Sequence, residues 1–298
     1  MAENKKKWED IARKYRTYIK LEKRLSENSV ESYMRDLAAF AHYVLRMKDL
    51  PPRKIEEPMI QQYMAWLYDR GSKKATQARV LSSLRSFFDY LCLCEIIESS
   101  PVEFVESPRL TRHLPDVLSL EEIDRIICAI DPSSTKGLRD RAIIELLYSC
   151  GLRVSEATEL RLCDLFFGEG YIRVIGKGDK QRLVPVSPLA RERIQLYMER
   201  REQRETIDDT LFLNNRGGAL TRVMIFTLLK NAAATAGVQK KVSPHTLRHS
   251  FATHLIEGGA SIRQVQEMLG HENIVTTEIY THLNDKRLRE TVEKYLPL

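Results

Sequence analysis

Apolar residues recur at helical spacing through the first hundred residues of the chain. A first helix is indicated by residues that follow one another every three or four positions, Trp8, Ile11, Tyr15 and Tyr18. A second helix, behind a possible cap at Ser29, repeats that spacing at Val30, Tyr33, Leu37, Phe40 and Val44. Packing accounts for the spacing of the aromatic side chains, so the pattern predicts a helical core.

Two further helices complete this module. The third is predicted to begin at Pro58 and to stop at Gly71, and the fourth to open after Ser72. The fourth helix has a buried stripe formed by Val80, Leu84, Phe87 or Phe88, and Leu91. The pattern therefore predicts a four-helix domain over residues 1–106.

The periodicity stops at residues 107–115, SPRLTRHLP, which contain two prolines and no apolar repeat. This composition predicts an exposed linker between two domains. Extended, nine residues reach roughly 30 Å. That length would let two domains close around opposite sides of a duplex.

Residues 116–298 are predicted to form a second domain that is mainly α with a small β-hairpin, an α+β unit. Its first helix, in SLEEIDRIICAI, can be capped by Ser119, and a later helix through AIIELLYSCG ends at Gly151. Strands are predicted near 171–175 and 181–186, on either side of the turn GKGDK. Beyond them, glycines divide the chain into short helices.

Composition narrows the class of protein. With 298 residues, 43% hydrophobic and 30% charged, the chain has the make-up of a soluble globular protein of two domains. The first residues, MAENKKKWED, lack the apolar core of a signal peptide, and no apolar run is long enough to span a bilayer. A cytoplasmic protein is expected. The five cysteines, an odd number without a CxxC pair, are expected to be reduced thiols.

The net charge of +6 permits an acidic partner such as nucleic acid without establishing one. Four basic residues are the candidates for contacts to a DNA backbone or groove: Lys73, Lys74, Arg79 and Arg222. Solvated surface charge is the alternative interpretation of each.

The segment SPHTLRHSFATH at 243–254 packs basic side chains into the start of a helix. Ser243 can cap that helix, and Pro244 suits its first position. His245 and Arg248 then share a face beside free N–H groups, where an anion such as a phosphate is favoured. A solvated surface turn is one alternative. A zinc site at His245 and His249 is another, although no HExxH motif is present.

Further short motifs carry single residues of interest. Arg153, in GLRVSE, follows a glycine helix stop and precedes a predicted cap at Ser155. Lys177 lies on the hairpin turn, without the context of a phosphate-binding loop. His271 follows a glycine in LGH, and Tyr280 lies in EIYTH. Each motif alone is equally compatible with an ordinary surface or packing residue.

Taken in order, these residues closely resemble the active-site set of the tyrosine recombinase, or phage integrase, family, and within it the Xer-type site-specific recombinases. The set comprises Arg153, Lys177, His245, Arg248, His271 and Tyr280. The resemblance covers nearly the whole chain: residues 1–106 resemble a SAM-like core-binding domain, 107–115 a linker and 116–298 a catalytic domain. The absence of a further N-terminal domain favours the Xer type, and a mobile-element integrase of the same length is the alternative.

The resemblance implies a metal-free and ATP-independent reaction without a cofactor. Tyr280 would attack a DNA phosphodiester and form a 3′-phosphotyrosyl link, releasing a 5′-hydroxyl. Arg153 and Arg248 would hold the charge of the transition state, Lys177 would protonate the leaving oxygen, and the two histidines would bind the phosphate, with His245 a possible proton acceptor. No role is assigned to His249, His254 or Arg182. Glu156 and His282 are open between support of neighbouring residues and a core or surface role.

The resemblance also implies partners. The expected assembly is a tetramer on two DNA sites, formed by exchange of the amphipathic tail NDKRLRETVEKYLPL, although that tail could also pack on its own domain. A second related recombinase and a septum-associated DNA translocase of the FtsK type are possible partners in chromosome dimer resolution. A catalytically inert DNA-binding protein and a zinc hydrolase are the alternatives from other classes.

Overall fold

The chain divides into two compact units, Met1–His113 and Leu114–Leu298, each with its own hydrophobic core. The computed structural model describes residues 2–108, 116–176, 180–201, 209–270, 291 and 294–296. The predicted linker lies outside these residues apart from positions 107 and 108. In the described part of the chain, no helix combines the length and the apolar character that a membrane crossing requires.

The first unit is helical, as its hydrophobic spacing predicted. Its described residues form four α-helices, α1 (Ala2–Leu21), α2 (Glu27–Met47), α3 (Glu57–Asp69) and α4 (Lys74–Leu93). Pro58 stands in the first turn of α3, where its missing N–H is not needed. The helix starts and stops therefore fall within a few residues of their predicted positions.

Aromatic side chains from α1, α2 and α4 form the centre of this core. The rings of Trp8 and Phe87 stack with centroids 5.8 Å apart, and Tyr15 meets Phe87 edge to face at 5.3 Å. Both Phe87 and Phe88 are fully buried. Polar ends are satisfied as well: Tyr15 Oη lies 2.9 Å from Ser86 Oγ. The aromatic stripes are packing residues, as predicted.

The cap of α2 differs from the predicted one. Ser26, rather than Ser29, caps the helix, and its Oγ accepts from the backbone N–H of Ser29. The two serines are three residues apart, which is the spacing of a cap and the N–H that it satisfies. The prediction at Ser29 was wrong because both residues of this pair can accept.

The second unit contains, among its described residues, seven further α-helices. These are α5 (Leu120–Cys128), α6 (Thr135–Ser149), α7 (Val154–Glu159), α8 (Pro188–Arg200), α9 (Arg222–Thr235), α10 (Pro244–Glu257) and α11 (Ile262–Leu269). The cap at Ser119 is confirmed: its Oγ accepts from the N–H of Glu122, whose carboxylate accepts from the N–H of Ser119.

Helix α6 lies at the centre of the second unit. Its side chains are buried on every face, among them Ile143, Ile144 and Leu147, and it packs against α8 and α10. It ends at Ser149, and Gly151 beyond it has φ +57°. A Cβ at Gly151 would lie 2.5 Å from the ring of Phe251, so this turn requires glycine for both its backbone and its space. The predicted helix stop is confirmed.

A three-stranded antiparallel sheet lies beside these helices, in the order β1 (Leu165–Phe166), β2 (Tyr171–Ile175) and β3 (Gln181–Pro185). The predicted hairpin is confirmed as β2 and β3, and Val174 is the register partner of Arg182. Strand β1 was not predicted, because two residues are too short to show an alternating pattern.

Candidate active site

The helix start predicted at Ser243 and Pro244 is present as the start of α10. Ser243 Oγ accepts from the N–H of Thr246 at 3.1 Å, and Pro244 occupies the first turn of α10. His245 is exposed at this helix end, whereas Arg248, one turn later, is only 9% exposed. A residue type that is seldom buried without partners therefore lies inside the unit.

Arg248 is held by two backbone carbonyls from distant parts of the chain. Its Nη1 donates to Gly151 O and its Nη2 to Leu269 O, both at 2.6 Å. Burial, followed by the positive charge of the nearby Arg153, lowers the pKa of Arg248 to about 10. The guanidinium remains charged at neutral pH. Two of its five N–H donors bind these carbonyls, which leaves up to three for another ligand.

Arg153 lies at the N-cap position of α7 with its side chain 33% exposed. Its Nη1 donates to Glu156 Oε1 at 2.8 Å, and its Nη2 donates to Gly270 O at 3.3 Å. The predicted cap at Ser155 is wrong, because α7 begins at Val154 and Ser155 lies inside it. The backbone N–H of Arg153 is instead satisfied by Glu156 Oε2 at 2.8 Å.

Glu156 is the acidic centre of this site. Burial would raise the pKa of its carboxyl, but the hydrogen bonds and charge of Arg182, together with those of Arg153, hold the pKa below its usual range. The group is therefore a carboxylate at neutral pH. Of the two interpretations left open for Glu156, the structure supports contact with neighbouring site residues.

Arg182, which was assigned no role from the sequence, is the second partner of this carboxylate. Its Nη1 and Nη2 donate to Glu156 Oε1 and Oε2 at 2.6 and 2.9 Å, a bidentate pair. The side chain is buried on the inner face of β3. The available signal was an arginine at a position of β3 that alternates with exposed or half-buried residues and shares its face with Val184, and this position is evident once the register of the hairpin is known.

Arg153, Arg182 and Arg248 all donate hydrogen bonds to backbone carbonyls at the C-terminal end of α11. The carbonyls of Met268, Leu269 and Gly270 accept from Arg182, Arg248 and Arg153 respectively. Carbonyls at the end of a helix lack intrahelical partners and carry partial negative charge, so cations are favoured there. Gly270 has φ +64° and ends the helix in the left-handed conformation.

The predicted catalytic residues are therefore placed only in part. Arg153 and Arg248 both contact the end of α11, and His245 lies one turn from Arg248 on α10. Lys177, His271 and Tyr280 lie outside the described residues, as does His282. What the described part provides is a pair of anchored guanidinium groups beside the start of a helix, an arrangement suited to a phosphate.

The remaining histidines of this segment have other positions. His254 is buried, and its Nδ1 lies 2.8 Å from Tyr148 Oη. His249 is half-buried. Across the described ranges, no three His, Cys, Asp or Glu side chains are grouped so that they could hold a metal ion. The zinc alternative at His245 and His249 has no third ligand among these residues.

The candidate DNA contacts lie on both units. Lys73 and Lys74 are exposed at the start of α4, and Arg222 is exposed at the start of α9. Arg79 differs from them, because its Nη1 donates to the buried carboxylate of Asp36 and, at 2.8 Å, to Ser32 Oγ. Its guanidinium is held in place while its side chain stays 43% exposed.

Comparison with known proteins agrees with this architecture. Residues 116–287 match the phage integrase family, and residues 12–93 match the phage integrase N-terminal SAM-like domain. Over 295 residues the chain is 39% identical to the tyrosine recombinase XerD of Listeria monocytogenes, covering 97% of this chain and 99% of that protein.

Solved structures show the same fold. The XerH recombinase bound to its palindromic difH substrate, a post-cleavage complex, has a TM-score of 0.71 and 27% identity, covering 89% of this chain and 79% of that one. A lambda integrase tetramer bound to a Holliday junction has a TM-score of 0.69 and 20% identity, with 92% and 79% covered.

Proposed function

We propose that this chain resolves chromosome dimers at cell division. It belongs to the phage integrase family and is a Xer-type tyrosine recombinase, an enzyme that cuts and rejoins DNA. The full-length similarity to XerD supports the role. The observation that supports the chemistry is the pair Arg153 and Arg248, whose guanidinium groups are both anchored on the end of α11.

The proposed reaction begins with Tyr280. Its phenolic oxygen attacks the scissile phosphorus, the bond from phosphorus to the 5′-oxygen breaks, and a 3′-phosphotyrosyl link forms. His245 accepts the phenolic proton, and Lys177 donates a proton to the leaving 5′-oxygen. The released 5′-hydroxyl of a partner strand then attacks the phosphotyrosyl phosphorus and returns its proton to Lys177, the bond from phosphorus to the Tyr280 oxygen breaks, and the phenol regains its proton from His245. The energy of the broken bond is retained in the intermediate, so rejoining requires no nucleotide triphosphate.

Arg153 and Arg248 stabilise the added negative charge on the non-bridging oxygens of the transition state, and His245 and His271 add hydrogen bonds. Two planar guanidinium groups provide paired donors that match these oxygens, which lysine cannot do. Their contacts with carbonyls and with Glu156 hold them in place before the substrate binds. Little reorganisation is then needed during the reaction.

The proposed substrate is a double-stranded recombination site. Lys73, Lys74, Arg79 and Arg222 are the proposed contacts, and Asp36 fixes the direction of Arg79. A tetramer on two sites is proposed by analogy with the lambda integrase tetramer on a Holliday junction. A related second recombinase and an FtsK-type translocase are the proposed further partners. A cytoplasmic location is proposed as well, because the proposed substrate is chromosomal DNA.

The test is covalent capture on nicked suicide duplexes in EDTA, followed by a denaturing gel. One set of duplexes carries candidate sites from the replication terminus, and a second set carries ends of mobile elements. We expect a covalent band with the wild-type protein on a terminus site and no band with Tyr280→Phe, because phenylalanine lacks the attacking oxygen. Both proteins are expected to bind DNA equally in a gel-shift assay.

The other outcomes separate the alternatives. A covalent band confined to mobile-element ends would support the integrase alternative for the cellular role. Tight binding without a covalent band, with or without a related recombinase, would support an inert DNA-binding protein. Cleavage that EDTA abolishes would support the zinc hydrolase.

A further inference from the structure

Arg182 lies where the alternation of β3 calls for an apolar side chain. Its register partner Val174 is buried, and Val184, two residues further along β3, is buried on the same face. A guanidinium at such a position is unfavourable unless it is paired and hydrogen-bonded. Its contacts therefore indicate why an arginine stands there.

The first contact is with the carboxylate that also binds Arg153. Glu156 Oε1 accepts from Arg182 Nη1 and Arg153 Nη1, and Oε2 accepts from Arg182 Nη2 and the Arg153 backbone N–H. These four hydrogen bonds fill the accepting capacity of a carboxylate. Without Arg182, half of the bonds that orient Glu156 would be lost.

The second contact is with the end of α11. Arg182 Nε donates to Met268 O at 3.3 Å, and the side chain lies next to Gly270. A Cβ at Gly270 would lie 3.1 to 3.3 Å from Cδ, Nε and Cζ of Arg182. Glycine at this position thus lets the guanidinium approach the backbone next to the carbonyl that holds Arg153.

We propose that Arg182 is a positioning residue of the recombination reaction, which orients Arg153 toward the scissile phosphate through Glu156 and through the end of α11. It connects three elements that are far apart in sequence: β3, the start of α7 and the end of α11. The inference rests on the proposed function, since it takes Arg153 as a ligand of the scissile phosphate. Arg182 itself does not contact the phosphate in this proposal.

The experiment uses the full-length chain and four variants: Arg182→Gln, Arg182→Lys, Arg153→Ala and the double variant Arg153→Ala with Arg182→Gln. Arg173→Gln is the matched control, because Arg173 lies on the same sheet and pairs with Asp164 at 2.7 Å, a carboxylate that binds none of the site arginines. The first measurement is single-turnover cleavage of the suicide duplex, with thermal melting and gel-shift binding alongside.

Arg182→Gln and Arg182→Lys are expected to slow cleavage about 10- to 100-fold, which is typical for loss of a residue that orients another. Lysine keeps the charge but cannot form the bidentate pair. In the Arg153→Ala background, Arg182→Gln is expected to cost less than about threefold further, because the residue through which it acts is already gone. Melting of Arg182→Gln is expected to stay cooperative at a lowered temperature, because Glu156 loses its pair with Arg182 but keeps its pair with Arg153. Single-site binding and Arg173→Gln cleavage are expected to stay close to wild type.

A methylphosphonate at the scissile position provides a second readout. A methyl group there replaces a charged non-bridging oxygen, so misplacement of a guanidinium matters less than on a normal phosphate. The defects of Arg182→Gln and of Arg153→Ala are therefore both expected to shrink on this substrate. A purely structural defect would be equal on both substrates.

Each contrary outcome overturns the proposal. Full activity of Arg182→Lys would show that the bidentate pair is dispensable, and equal losses with and without Arg153 would show independent action. Loss of cooperative melting in both Arg182 variants, with Arg173→Gln intact, would assign Arg182 to folding alone. Failure of the proposed function itself is distinct, because the wild-type protein would then form no covalent band.

Discussion

At the scale of single residues, the buried carboxylate of Glu156 neutralises two guanidinium groups at once. Removing one member of a buried ion pair costs about 3–5 kcal/mol, since the other charge is left uncompensated. Arg182 is buried, with only 9% of its surface exposed, whereas the side chain of Arg153 is 33% exposed. The free-energy cost of removing the Glu156 carboxylate is therefore expected to come mainly from the uncompensated charge of Arg182.

Glu156→Gln is expected to lower the free energy of unfolding by about 3–5 kcal/mol at neutral pH. The folded-state pKa of Glu156 lies below the ordinary value of 4.5, so its contribution is fully present above that pH and is lost as pH falls through the folded pKa. Chemical denaturation of both proteins over a pH series is the measurement. The wild-type advantage should shrink below about pH 4.5.

Asp164→Asn is the matched control for this prediction. Asp164 pairs with Arg173, whose side chain is 35% exposed and can turn toward water. A loss of about 1 kcal/mol is expected there. An advantage of Glu156 over glutamine that persists unchanged into strong acid would contradict the assigned ionisation.

At the scale of elements, the turn after α6 connects helix packing with the site. Gly151 ends this helix with a positive φ, its carbonyl accepts from Arg248, and its Cα faces the ring of Phe251 on α10. The same residue thus fixes the spacing of two helices and one of the two anchors of Arg248. A substitution at Gly151 is therefore expected to change both the packing of α6 against α10 and the position of Arg248.

Gly151→Ala is expected to lower the free energy of unfolding by about 2–4 kcal/mol, combining the cost of a left-handed alanine with overpacking against Phe251. Gly237→Ala is the matched control: its φ is +68° and a Cβ there would meet nothing within 4 Å. That variant should lose only about 1 kcal/mol. Urea denaturation compares the two, and equal losses would refute the packing argument.

At the scale of the whole molecule, the described residues of the C-terminal tail pack on their own chain. Gln264 Nε2 donates to Thr291 Oγ1 at 2.9 Å, Leu296 is buried in the core of the second unit, and the ring of Tyr295 lies against Gly259. The sequence left open whether the tail packs in this way or is exchanged. These contacts place the described tail residues on their own domain, and exchange of the tail between protomers stays a prediction.

Deletion of residues 285–298 is expected to spare binding to single recombination sites and to weaken synapsis, because the tail is the proposed link between protomers. A gel-shift assay with one site and with paired sites measures both effects. Synapsis that is unchanged by the deletion would remove the tail from the assembly and leave it as a packing segment of its own domain.

Local patterns in the sequence were enough for most elements. Helix spacing predicted α1 to α4, alternation around a glycine-rich turn predicted the hairpin, and a serine followed by proline predicted the start of α10. These features depend on interactions between residues that are close in sequence. The local pattern of residues is therefore enough to predict them. Local patterns did not determine which of two nearby residues caps a helix. Ser26 rather than Ser29 caps α2, and Arg153 rather than Ser155 stands at the cap of α7.

The order of the candidate catalytic residues, and through it the resemblance to a family, can be read from the sequence. The contacts that hold these residues depend on how distant parts of the chain pack together. Arg248 is anchored by Gly151 O and Leu269 O, and Arg182 reaches Glu156 across 26 positions of the chain. Every residue carries a backbone carbonyl, so the sequence does not mark which ones serve as acceptors. Long-range packing determines which carbonyls accept from Arg248. It also determines that Arg182 pairs with Glu156.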